Sequence, residues 1–240
     1  MADSTLAGLS IVLPCFNEEA NVFQAVCEAL VAAQRVTNRY EVIVVDDGSS
    51  DETARVASLL AMGDQRVRLV AHSENQGYGT ALRSGISAAT MPWVLLTDAD
   101  LQFDLTQLEG FLPYTDSYDL IVGQRLTRRD PVSRRANAAA WNWLMRRMFA
   151  LPVHDVDCAF KLVRRECLEQ VELVASGAMI STELIAKTLQ CGARLKELEV
   201  EHQPRAAGEQ SGASPRVIWR AFLELARLRE VLRAQADVPG

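Results

Sequence analysis

The sharpest chemical signal in the chain is Asp98-Ala99-Asp100-Leu101-Gln102, two carboxylates two residues apart with a neutral side-chain carbonyl beyond them. In extended chain such carboxylates point to opposite faces, but a turn after a strand can bring both to one ion. Hard oxygen donors without Cys or His suit Mg²⁺ or Mn²⁺, with positions left for water and phosphate oxygens. Two more polar stretches carry similar chemistry: Pro14-Cys15-Phe16-Asn17-Glu18-Glu19 and Asp46-Asp47-Gly48-Ser49-Ser50-Asp51. Taken singly, Asp-Gly is often only a turn, and Asn17 or Asp51 only a helix cap. A phosphatase of the haloacid-dehalogenase type also uses D-x-D, but after its first strand, and here the motif follows the fourth. Asn75-Gln76-Gly77-Tyr78-Gly79-Thr80-Ala81 holds a G-x-G with neither a full dinucleotide fingerprint nor a Walker lysine. Its glycines are expected to let a turn pack closely over a bound nucleotide.

The elements that must position these residues alternate regularly. Apolar runs at 9–13, 41–45, 67–71, 93–97 and 119–122 read as strands, and 18–35 and 78–89 as helices, the second with small residues on one face. Asp51 is placed to cap a helix after the second strand. Strands alternating with helices predict an α/β fold with a mostly parallel sheet covered on both faces. In such a sheet ligands bind outside the carboxyl ends of the strands, which is where all three polar stretches fall. Further on, 158–163 and 195–200 read as strands, 182–190 as a helix, 202–215 as a loop and 216–234 as a long amphipathic helix.

Composition narrows the class. The chain has 240 residues, 49% of them hydrophobic and 23% charged, which excludes a disordered chain. No uncharged run exceeds 14 residues, too short for a membrane-spanning helix of about 20. The opening Met1-Ala2-Asp3-Ser4 has no basic region, so no signal peptide is expected. Five cysteines without C-x-x-C argue against a disulfide framework or zinc site and for a cytoplasmic setting. The net charge of −6 is unevenly distributed: residues 1–119 carry 17 acids and 6 bases, residues 120–240 carry 14 acids and 19 bases. That asymmetry directs attention to anionic partners for the second half. Nucleic acid is not expected at a pI near 5.2.

Together these motifs resemble family 2 glycosyltransferases of the GT-A fold, in the branch of dolichol-phosphate mannose synthases and bacterial polyprenyl-phosphate hexosyltransferases. The matching elements are P-x-x-N-E-E at 14–19, V-D-D-G-S-x-D-x-T at 45–53, N-x-G-x-G-x-A at 75–81 and D-A-D-L-Q at 98–102. G-x-R at 123–125, D-C-A-F-K at 157–161 and H-x-P-R-x-x-G-x-x-S-G at 202–212 follow in the family's order. The resemblance implies a catalytic domain over 1–212, with 213–240 its C-terminal amphipathic helix and tail. It implies that Pro14, Phe16, Glu18, Val45 and Asp47 hold the base and ribose of a GDP- or UDP-hexose. Asp98 and Ala99 would contact the nucleotide, and Asp98, Asp100 and Gln102 would hold Mg²⁺ or Mn²⁺. Asp100, Arg125 and Arg205 form the implied catalytic set, with Arg134 or Arg135 on the acceptor phosphate. Phe16 stands where the family often has Tyr, and Ala159 where it often has Gly.

The implied reaction is inverting transfer of a hexose to polyprenyl phosphate. A lipid phosphate is already anionic, so arginines that position it can suffice without a general base. Asp155 and Asp157 admit two readings: a base toward a hydroxyl acceptor, or partners of Lys161 and Arg164. The basic segments at 125–149 and 216–234 also admit two, a peripheral contact with the cytoplasmic face of a membrane or packing on the chain's own domain or a second subunit. Two alternatives stand beside the lipid reading. One is a family member with a glycan or small-molecule hydroxyl acceptor. The other is a catalytically silent nucleotide-sugar-binding subunit of a membrane protein.

Overall fold

The computed structural model describes residues 5–126, 132–205 and 224–225, with the side chains of 132–139 outside that description. Seven strands form one sheet in the order β3-β2-β1-β4-β6-β5-β7. They are β1 (Leu9–Cys15), β2 (Tyr40–Asp46), β3 (Val67–Ala71), β4 (Trp93–Leu96), β5 (Leu120–Arg125), β6 (Lys161–Arg164) and β7 (Leu195–Val200). The helices are α1 (Val22–Val36), α2 (Thr53–Gly63), α3 (Tyr78–Ala88), α4 (Val132–Phe149), α5 (Arg165–Glu169) and α6 (Ile180–Gln190). A 3₁₀ segment spans Leu105–Tyr114.

Every residue of β1 and β2 is buried, as expected of strands covered on both faces. Their side chains alternate between two cores. Ile11, Leu13, Val42 and Val44 pack with α1, α2 and the 3₁₀ segment, whereas Val12, Ile43 and Val45 pack with α3, α4 and α6. The small residues expected on α3 are its inner face: Gly79, Ala81, Leu82 and Gly85 are buried. Asp51 accepts from the Thr53 amide at 3.0 Å, the capping role its position suggests.

The sheet is parallel at β1–β2, β1–β4, β2–β3 and β5–β7. Strand β6 is the exception, inserted antiparallel between β4 and β5 with Lys161 opposite both Leu96 and Val122. The expected strand at 158–163 is therefore shorter and shifted. Residues 158–160 instead form the approach to β6, on the same edge as the ends of β1, β2 and β4. Most of the expected helix at 216–234 and of the segment 213–240 lies outside the described residues. Among the described residues, no helix is long and apolar enough to cross a membrane.

Candidate active site

The first two strand ends are stitched together. Asn17, at φ 56° in the left-handed region, accepts from the Ser50 amide at 2.9 Å through Oδ1, and its own amide donates to Ser49 Oγ at 2.9 Å. The Glu18 amide donates to Thr53 Oγ1 at 2.8 Å, and the Glu19 amide to Asp51 Oδ2 at 3.1 Å. The loops after β1 and β2 thus form one platform, with Phe16 exposed upon it. Pro14 and Val45 lie buried beneath it, and the Val45 side chain belongs to the core against α3.

The adjacent acids Asp46 and Asp47 have different tasks. Asp47 accepts from His72 Nδ1 at 2.7 Å, from the Gln76 amide at 3.0 Å and from the Gly77 amide at 2.8 Å. His72 Nε2 meets Ser84 Oγ at 2.9 Å. This Asp-His-Ser chain is a staple: Ser84 sits in the middle of α3, and both Asp47 oxygens are engaged by backbone amides. Asp46, by contrast, keeps Oδ1 buried without a hydrogen-bond partner among the described residues. A buried carboxylate oxygen in that state is costly unless a ligand donor meets it. The other Asp46 oxygen, Oδ2, takes the Ser49 amide at 3.4 Å, so Asp46 is buried against the loop after β2.

The third strand end carries Asp98 and Asp100. Asp98 is half-buried and accepts from the Tyr78 hydroxyl at 2.9 Å. Desolvation pushes its carboxyl above the usual range, opposed by the Tyr78 hydrogen bond and the charges of Lys161 and Arg125. Asp100 is buried, and its carboxyl is pushed up to about 7, first by desolvation and next by the negative charge of Asp98. Leu101 follows at φ 62°, a left-handed conformation that a branched side chain adopts only under constraint. Ala99 between the two acids is buried. The Gln102 amide donates to Asp100 Oδ1 at 3.2 Å, and its side-chain nitrogen donates to the Gln203 carbonyl at 3.0 Å.

That last bond brings in the segment after β7. The Gln203 amide donates to the Gln102 carbonyl at 2.8 Å, and His202 meets the Phe103 ring edge-on at 5.0 Å. Arg205 is thereby set between two elements, paired with Glu18 and 3.9 Å from Asp100. Glu18 also accepts from Asn21 at 2.7 Å.

Arg125, at the end of β5, is held by Asp155 through two parallel hydrogen bonds at 2.6 and 2.8 Å. Asp155 is itself fixed, its amide donating to Glu197 of β7 at 3.0 Å. Of the two readings of Asp155, a base toward a hydroxyl acceptor or a partner of Lys161 and Arg164, the structure bears on the second. It gives Asp155 the partner Arg125 instead, while Arg164 pairs with Asp119 at 3.1 Å. Lys161 is buried, donates to the Cys158 carbonyl and meets Ser181 Oγ at 3.3 Å. Burial lowers its ammonium pKa, opposed by Asp157 and Asp155 among its neighbours. The side chains of Arg134 and Arg135 lie outside the described residues.

The Gly77 and Gly79 turn has a different neighbour from the one expected. A Cβ on Gly77 would stand 2.5 Å from the Ser176 carbonyl oxygen, and one on Gly79 would stand 2.5 Å from that of Ala175. The Gly79 amide also donates to the Ser176 carbonyl at 2.9 Å. These glycines admit the protein's own backbone.

The site is therefore two carboxylates at the head of β4, flanked by Arg205 with Glu18 on one side and by Tyr78, Lys161 and Arg125 on the other. Its donors are the oxygens that Mg²⁺ and Mn²⁺ favour. Among the described residues, no three His, Cys, Asp or Glu side chains converge as a complete cage. Two protein carboxylates with open positions fit an ion shared with a phosphate-bearing ligand.

A mostly parallel α/β sheet with an oxygen-only acidic centre at its carboxyl edge is the architecture of a GT-A glycosyltransferase. The chain belongs to glycosyl transferase family 2, whose model matches residues 10–172. An uncharacterised glycosyltransferase of Mycobacterium tuberculosis is 34% identical over 209 residues, covering 84% of this chain and 88% of its own. A dolichyl-phosphate hexose transferase of Haloferax volcanii is 30% identical over 210 residues, covering 86% and 87%. Among solved structures, glucosyl-3-phosphoglycerate synthase of Mycobacterium tuberculosis, determined with Mg²⁺ and UDP, matches with TM-score 0.68 at 20% identity. It covers 91% of this chain and 79% of its own, a likeness of fold.

Proposed function

We propose that the chain transfers a hexose from a UDP- or GDP-sugar to a polyprenyl phosphate, with inversion at the anomeric carbon. The observation that carries this reading is the meeting of the Asp98–Asp100 pair with Arg205 and Arg125 at one sheet edge. Carboxylates there suit an ion and a diphosphate, and the arginines suit two phosphate groups. The relative named as a dolichyl-phosphate hexose transferase supports a lipid phosphate acceptor. The fold neighbour determined with Mg²⁺ and UDP supports a divalent ion beside a nucleotide.

Asp98 and Asp100, with Gln102 beside them, would hold Mg²⁺ or Mn²⁺, whose chemistry there is to neutralise charge on the leaving diphosphate. Phe16 and Glu18 on the platform, with Asp47 steadying the loop behind it, would bound the base and ribose. Arg205 is placed to leave its two carboxylates for the diphosphate, supplying a second positive charge as the bond to the sugar breaks. Arg125, aimed by Asp155, would meet the acceptor phosphate, with Arg134 or Arg135 as further candidates. The acceptor oxygen is already anionic, so displacement of the nucleoside diphosphate requires no proton transfer to a protein base.

A cytoplasmic enzyme using a lipid acceptor must work at the membrane face. Trp143, Arg146 and Arg147 are exposed on α4, an aromatic and two cations on one helical face suited to anionic headgroups. The test supplies Mg²⁺ or Mn²⁺, UDP- and GDP-hexoses and a short polyprenyl phosphate, and follows glycolipid. Turnover only with hydroxyl acceptors would overturn the lipid reading. Tight nucleotide binding without turnover would make the chain a silent binding subunit.

A further inference from the structure

We propose that Tyr78 is a positioning residue for the donor site, its hydroxyl fixing the Asp98 carboxylate in the orientation in which it meets a divalent ion. The inference rests on the metal-and-nucleotide reading of the Asp98–Asp100 pair. Among the described residues, Tyr78 is the direct hydrogen-bond partner of Asp98, at 2.9 Å. The nearby cations are directed elsewhere, Arg125 to Asp155 and Lys161 to Cys158 and Ser181.

The Tyr78 hydroxyl is itself placed by a locked turn. Asp47 takes the amides of Gln76 and Gly77, His72 steadies Asp47, and the Ser176 carbonyl takes the Gly79 amide. Backbone carbonyls of 175 and 176 stand so near Gly77 and Gly79 that the turn cannot shift toward them. Three separate parts of the chain thus hold residues 76–79, and the one polar side-chain atom they deliver to the acidic pair is the Tyr78 oxygen. The ring packs with the α3 side of the core, a task phenylalanine would perform equally. The hydroxyl is the part that packing does not require. A neutral donor also orients the carboxylate without competing for its charge, as a lysine at this position would.

The test uses the full chain with Mn²⁺ alone and with UDP. Free Mn²⁺ is followed by electron paramagnetic resonance, UDP binding by calorimetry, and melting temperature is recorded for each variant. Tyr78→Phe is expected to weaken Mn²⁺ binding about tenfold, the loss typical of one hydrogen bond to a charged group. Its metal-free UDP affinity should match that of the wild type, and its melting temperature should fall by no more than the loss of one hydrogen bond to a half-buried carboxylate accounts for. In an Asp98→Asn background the same substitution should add nothing, because the group it orients has changed. Tyr78→Phe binding Mn²⁺ as tightly as wild type overturns the inference. So does a loss that persists in the Asp98→Asn background, which would assign Tyr78 to packing. Wild-type chain that binds neither Mn²⁺ nor UDP overturns the functional reading beneath it.

Discussion

Arg125 and Asp155 meet in a two-pronged ion pair, Nε to Oδ2 at 2.6 Å and Nη2 to Oδ1 at 2.8 Å, with both side chains mostly buried. The pair fixes the plane of the guanidinium at the end of β5. It also explains why a cation can be kept in a site whose neighbours already include Lys161.

Arginine's planar fork is what fits this carboxylate, and a lysine cannot make both bonds. Arg125→Lys should therefore lower kcat/KM about 100-fold, the order of loss seen when one charge-stabilising donor is removed. Asp155→Asn keeps the shape but leaves the cation short of a partner, and should cost about 2 kcal/mol in urea unfolding. An Asp155→Asn protein with wild-type stability would show that the pair contributes nothing to the fold.

The Asp100 carboxyl, pushed up to about 7 by desolvation and Asp98, sits above its unfolded value of about 3.9. A raised carboxyl pKa gives stability that is fully present below the unfolded value and is lost as pH rises through the folded one. The metal-free protein should lose stability between about pH 4 and 7, and Asp100→Asn should flatten that slope. An ion binding at Asp100 competes with the proton, so Mn²⁺ affinity should rise with pH up to about 7. Calorimetry in buffers of different ionisation enthalpy would count the proton released. A pH-independent affinity would place the ion elsewhere.

The strand-end acids were legible because alternating strands and helices imply a parallel sheet, and a parallel sheet gathers its strand ends on one edge. The direction of β6 was not, since an apolar run carries none and nothing local reveals that Lys161 pairs antiparallel with Leu96. The role of Tyr78 depends on residues 175–177, about a hundred positions away, so its spacing within N-x-G-x-G-x-A says only that a turn is near. The Arg125 partner of Asp155 was hidden for the same reason: Arg125 lies 30 positions upstream and meets it only because the end of β5 and the loop at 154–155 converge. Asp46 and Asp47 show the remaining limit. Two adjacent carboxylates look equivalent until the strand's alternation gives one to the loop at 76–77 and buries the other beside Ser49.

The loop that backs the Gly77 and Gly79 turn hangs on one buried group. Glu183 of α6, fully buried, accepts from the amides of Val174 and Ala175 at 3.0 and 2.8 Å and pairs with Lys187 at 2.7 Å. Glu183→Ala leaves two amides unmatched and the buried Lys187 ammonium with only the Glu172 carbonyl and no counter-charge, and should destabilise by about 3–5 kcal/mol. Glu183→Gln retains an acceptor and should cost clearly less. Equal losses for the two variants in denaturant unfolding would refute the hydrogen-bonding role.

Two glycines should respond to alanine with opposite signs. On Gly79 the new Cβ would stand 2.5 Å from the Ala175 oxygen and 2.8 Å from the Ser176 carbon, both backbone atoms that cannot swing aside. Gly79→Ala should destabilise by about 2 kcal/mol or more, the range of an overpacked site. On Gly63, at the end of α2, nothing lies within 4 Å. Gly63→Ala should instead stabilise by about 0.5 kcal/mol, through helix propensity and a less flexible unfolded chain. Thermal melts of the two variants check both signs together.

The outer face of α4 tests where the reaction takes place. Trp143 keeps 66% of its surface exposed, an unusual state for tryptophan, while Met145, two residues along, is fully buried. Arg146 and Arg147 lie one turn on, on the exposed side. An aromatic body beside cations inserts at the boundary of headgroup and acyl chain, with roughly 1 kcal/mol of electrostatic attraction per basic residue at an anionic surface. Co-sedimentation should therefore increase with the phosphatidylglycerol content of vesicles and fall with salt. A Trp143→Ala, Arg146→Glu double variant should bind such vesicles at least tenfold more weakly, by those same contributions. The same variant should retain the wild-type kcat with a water-soluble short-chain acceptor, because neither residue belongs to the acidic centre. Loss of turnover with both acceptors would move this face from membrane docking into the site itself.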